Sequence, residues 1–64
     1  MSPRRRHALA VAEAALRRRR ELRGLSHDDK HAVEAVAASI AVQVADAIDA
    51  VFEEATLRRA RAEN

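Results

Sequence analysis

Sixty-four residues hold one domain at most, and a domain of this size buries only ~60% of the surface that its unfolded chain exposes. The composition has no Cys, so disulfides, thiolate chemistry and cysteine metal sites are excluded, and the pattern fits a cytoplasmic chain. The net charge is +2, but it divides sharply: the first 25 residues carry eight Arg against Glu13 and Glu21, a net of +6, and the remainder carries eight acids against four bases, a net of −4.

The first predicted element runs over about residues 3–23. It lacks Gly and Pro after Pro3 and is rich in Ala, Arg, Leu and Glu, the strongest helix formers. Ser2 is the expected N-cap, with Pro3 in the first turn and Gly24 as the residue past the end, where a left-handed conformation would be tolerated. Arg4, Arg5 and Arg6 stand at the positive end of the helix dipole, so the ordered helix is expected to start nearer His7. Ala8, Ala12, Ala15 and Leu22, with Leu9, Val11 and Leu16 beside them, form an apolar stripe of helical period that Arg19 interrupts.

Residues 24–26 are the expected turn, and so short a link makes the flanking helices antiparallel neighbours. The second helix, about 27–62, opens at Ser26 with Asp28 and Asp29 in its first turn and closes on Arg58, Arg59 and Arg61. Each end therefore has the charge that the helix dipole favours. Val33, Ala37, Ile40, Val44, Ile48, Val51 and Ala55 repeat every eleven residues, a period close to that of a straight helix. Val36, Ala47 and Phe52 widen the stripe beyond what one partner helix would cover, and Gln43, Asp46, Asp49 and Glu53 form an opposite, acidic face suited to solvent.

The fold class is accordingly all-α: a two-helix antiparallel hairpin with a long second helix, expected to pair into a four-helix assembly. At 1.5 Å per residue the helices measure roughly 30 and 55 Å, so the first shelters only half of the second. Ile48, Val51, Phe52, Ala55 and Leu57 are expected to be left uncovered, and an apolar patch of that kind marks an interface. The candidate interface comprises Val33, Val36, Ala37, Ile40, Val44, Ile48, Val51, Phe52 and Ala55. Its expected partner is a second copy of the chain or a larger helical protein.

Other chemistries have thin support in the residues. His27 and His31 stand four apart with Asp28 after the first, an echo of the His-Glu-x-x-His zinc pattern, but Asp replaces Glu and no third ligand is evident, so no metal site is expected. Ser39 and Thr56 lack a His or acid at the spacing of a nucleophile relay, and Gly24 alone makes no phosphate loop, so neither an enzyme nor a cofactor is expected. Arg17, Arg18, Arg20 and Arg23 could contact an anionic partner, and a small basic nucleic-acid-binding protein is the alternative function. That alternative lacks stacking aromatics, because Phe52 is the only aromatic residue. No membrane association is expected: the longest uncharged run, Ala35 to Ala45, is about half of the ~20 residues that a spanning helix needs.

Leu22, Leu25-Ser26, Asp28-Asp29-Lys30, Val33-Glu34, Val36, Ile40 and Val44 carry a resemblance to the C-terminal dimerisation domain of glutamyl-tRNA reductase, over about residues 16–57. The resemblance implies a helical dimer-forming module without catalysis, since the catalytic and cofactor domains of that family have no counterpart in these residues. After Val44 the chain reads Ala-Asp-Ala-Ile and departs from the family's pattern.

Overall fold

The computed structural model describes residues 1–63. Helix α1 spans Pro3–Arg17, a 3₁₀ segment spans Arg20–Gly24, and helix α2 spans His27–Glu63. The chain is an antiparallel hairpin, 58 Å long and 17 Å across in both other directions, as expected of an all-α chain with a long second helix.

Both helix starts rest on serine caps. Ser2 Oγ accepts from the Arg5 backbone N–H at 3.1 Å with Pro3 in the first turn, and Ser26 Oγ accepts from the Asp29 N–H at the same distance. These acceptors satisfy N–H groups that the first helical turn otherwise leaves without partners. The expectation that α1 starts nearer His7 is corrected: order begins at Pro3. The cap holds the first turn, and Arg4 and Arg5 are compensated by carboxylates on α2, which offsets their unfavourable position on the dipole.

The far end of α1 also differs from the expected boundary near residue 23. The α-helix stops at Arg17, and Arg19 is extended, with ψ of 114°, before the 3₁₀ turn. Arg17 to Arg20 are four successive cations, and continuing the helix would stack Arg17 on Arg20 and both Arg19 and Arg20 on Arg23, like charges three and four residues apart. The break turns the chain so that Leu22 and Leu25 are half-buried instead of following the α1 stripe outward. Gly24 does not adopt the expected left-handed conformation, since no residue among those described has a positive φ. The connector is a 3₁₀ turn followed by the extended Leu25, and a turn of that kind needs no left-handed residue.

The seam between α1 and α2 is built from small side chains. The helices are in contact, and Ala38, Ala41, Val42 and Ala45 of α2 and Ala8, Leu9, Ala12 and Leu16 of α1 are all buried or half-buried. Ala45 is the one fully buried residue among those described, at 1% exposure. Alanines let helices approach to the short end of the ~8–10 Å interaxial range. Val42 is the one larger aliphatic of α2 among these seam residues; Ile40, Val44, Ile48 and Val51 stay exposed. Replacing Ala45 with Leu inserts three carbons into the closest contact and should cost ~1–3 kcal/mol of hairpin stability by overpacking. Chemical denaturation measures it. A stability equal to that of the parent would show that the alanine seam is not closely packed.

Candidate functional site

Which side of α2 meets α1 is set by charge as well as by size. Arg5 Nε and Nη2 donate to Asp46 Oδ1 and Oδ2 at 2.7 and 2.6 Å, a bidentate pair, and Arg4 Nε donates to Asp49 Oδ1. The Arg4 guanidinium also lies 5.1 Å from the centre of the Phe52 ring, within cation–π range. Asp46 and Asp49, expected on an acidic face suited to solvent, keep 45% and 43% of their side chains exposed and are also paired with α1. They border the seam, because the basic start of α1 reaches back along the hairpin to them.

The hydrogen bond from Arg5 and its charge together hold the Asp46 carboxyl below its usual range, against a smaller opposing effect of desolvation, and Asp46 raises the Arg5 pKa in turn. The sign of the pH dependence follows. A depressed carboxylate pKa contributes stability that is fully present above the unfolded value of ~3.9 and is lost as pH falls through the lower folded value. The raised Arg5 value contributes stability at every pH below the ordinary guanidinium range, so it changes nothing in acid. Docking of α1 should weaken below about pH 4, and Asp46→Asn should remove that component of the acid titration while leaving α2 helical. Following α1 amide shifts by NMR from pH 6 to 2.5 checks it. Superimposable titrations for parent and variant would show that the pair does not hold α1.

With this rotation α2 turns its large aliphatics outward. Ala45 follows Val44, the middle of the stripe, by one residue, about 100° round the helix, so the seam lies to one side of the broad stripe, and Phe52, seven residues beyond Ala45, borders the seam. Val36, Ile40, Val44, Ile48, Val51 and Phe52 are all exposed, Ile40 at 56% and Val51 at 62%. Val33, Ala37 and Ala55 are half-covered. The sequence had suggested that α1 would shelter the first half of this stripe, and that expectation is corrected: Val36, Ile40 and Val44 are as open as the residues beyond the end of α1. Sequence periodicity ranks faces by apolar size, whereas docking selected the face that allows close approach and is bordered by the aspartates.

The other candidate residues take separate places. A groove of about 690 Å³ opens at the closed end of the hairpin, with Leu9, Leu16 and Leu22 on its apolar wall and Arg17, Arg19, Arg23 and Lys30 among its polar lining. Arg17 and Arg23 thus share a surface. Arg18 and Arg20 lie outside that lining, and Arg18 Nε donates to the Ala14 carbonyl at 3.3 Å. None of these four arginines makes an ion pair among the described residues. His27 and His31 stack edge-to-face with ring centres 4.7 Å apart, and no group of three or more potential metal ligands occurs among the described residues. Thr56 Oγ1 donates to the Phe52 carbonyl at 2.9 Å, a bond within its own helix, and Ser39 Oγ accepts from Gln43.

By length and composition alone α2 could cross a membrane. Asp46 and Asp49 stand near its middle and are tied to Arg5 and Arg4, so burial in hydrocarbon would carry four charged groups with it. Comparison with protein-family models, with curated proteins and with solved structures finds no match to the chain.

Proposed function

We propose that the chain is a non-catalytic helical assembly module that joins copies to each other, or docks as a small subunit on a larger helical protein, through the outward stripe of α2. One observation carries this reading. With one fully buried residue among those described, the hairpin leaves seven large apolar residues of α2 exposed, with Ile40, Val44, Ile48 and Val51 aligned along one face. A chain of this size is already short of burial, and contiguous exposed apolar surface on a small protein is characteristic of an interface. The stripe spans residues 33–55, ~33 Å at 1.5 Å per residue, which suits packing along a second helix of similar length. The resemblance of residues 16–57 to the dimerisation domain of glutamyl-tRNA reductase supports the same reading. The cytoplasm fits a chain without Cys.

Ile40 lies near the middle of the exposed stripe and away from the Arg4 and Arg5 pairs, so it probes assembly without touching the seam. Light scattering of the parent chain should give a mass above the 7.1 kDa of one chain, and Ile40→Asp should reduce it to that value with a parallel loss of helicity. A parent chain that scatters as one copy at every concentration, with helicity unchanged by Ile40→Asp, would sink self-assembly.

A further inference from the structure

The outward face of α2 has a symmetry that specifies its occupant. Counting along the stripe, Val33, Ala37, Ile40, Val44, Ile48, Val51 and Ala55 are separated by four, three, four, four, three and four residues, an order that reads the same in both directions. Val44 is the centre. Ile40 and Ile48 stand four residues on either side of it, Ala37 and Val51 seven, and Val33 and Ala55 eleven. A two-fold axis through Val44, perpendicular to the helix, lays this face on itself with an isoleucine meeting an isoleucine on each side of the centre. Such self-complementarity is what an isologous interface between identical chains requires.

Charge at the two ends of the face selects the direction. Asp29 lies four residues before Val33 and Arg58 three residues after Ala55, so each continues the stripe by one turn, and both are exposed. Neither side chain makes an ion pair among the described residues. Antiparallel pairing about Val44 sets Asp29 of one chain at the level of Arg58 and Arg59 of the other, twice per dimer, whereas parallel pairing sets Asp29 on Asp29 and Arg58 on Arg58. Lys30 would otherwise stand at the level of Arg58, but it is turned into the groove beside α1. The dipoles of the two long helices also oppose each other in the antiparallel arrangement. The eleven-residue period keeps the stripe nearly straight, so the pairing continues along its whole length instead of crossing at one point.

We propose that the partner of the α2 stripe is a second copy of this chain, packed antiparallel about a two-fold axis at Val44, with Asp29 facing Arg58 and Arg59 at both ends. This rests on the assembly reading and deepens it. Because the seam is centred about 100° round α2 from Val44, α1 of each chain lies beside the paired α2 helices and leaves the stripe open to its copy. Residues 53–63, which extend past the contacts of Arg4 with Asp49 and Phe52, then lie beside the closed end of the partner's hairpin.

The chain has no Cys, so an introduced one is the only thiol and reports its own symmetry mate. Under mild oxidation Val44→Cys should form a covalent dimer, since a residue on the axis meets its own copy within the ~4.4–6.8 Å Cα separation of a disulfide. Asp29→Cys alone should not, because antiparallel pairing separates the two copies by ~45 Å at 1.5 Å per residue. Asp29→Cys combined with Arg59→Cys should give a dimer closed at both ends. Equal cross-linking of Asp29→Cys and Val44→Cys would establish parallel pairing and overturn the proposal. A native mass above one chain without the Val44→Cys link would also overturn it and leave assembly standing; a native mass of one chain would overturn both.

Discussion

Arg5 grips both oxygens of Asp46, and Arg4 holds Asp49 less than one turn further along α2. Ion pairs as exposed as these add little to stability by themselves, since solvent screens them and the side chains lose freedom in forming them. Their effect is directional. They fix the rotation of a helix that carries apolar residues on two sides, and so decide which side α1 covers. The covered side is the alanine seam centred on Ala45. The side left open carries Ile40, Val44, Ile48 and Val51.

A hairpin organised in this way has its burial divided unequally. Small side chains give the two helices close approach but little apolar area, and burial contributes in proportion to area, at roughly 25 cal/mol per Å². The area is concentrated on the outward stripe, where the isolated hairpin gains nothing from it. Covering that stripe would bury the larger residues of α2 between chains with α1 alongside, the reverse of a hairpin that hides its larger residues within itself. The Arg4 contact with Phe52 marks the edge of α1's reach, and α2 continues about eleven residues beyond it.

Much of this was legible in the residues. Ser2, Pro3 and Ser26 announce helix starts by local chemistry, and the structure places both starts where that chemistry puts them. The break at Arg19 was harder to see, because each arginine is individually a good helix former and the stress comes from four in succession. Gly24 was misleading for a related reason: glycine permits a left-handed turn without requiring one, and the 3₁₀ segment closes the link with ordinary φ values. Least legible was the rotation of α2. It depends on contacts between residues 41 and 45 positions apart, Arg5 with Asp46 and Arg4 with Asp49, which no local period records. Net charges of +6 and −4 on the two parts of the chain do not tell which arginines meet which aspartates.

The proposed assembly would supply α2 from another chain with packing partners that a single chain lacks. Amide hydrogen exchange along α2 at two protein concentrations tests this most directly, because protection reports the free energy of opening at each residue. The account predicts that protection of residues 36–52 rises with concentration, since mass action stabilises a folded state that binds its own copy. Protection of α2 that is the same at low and high concentration would contradict it.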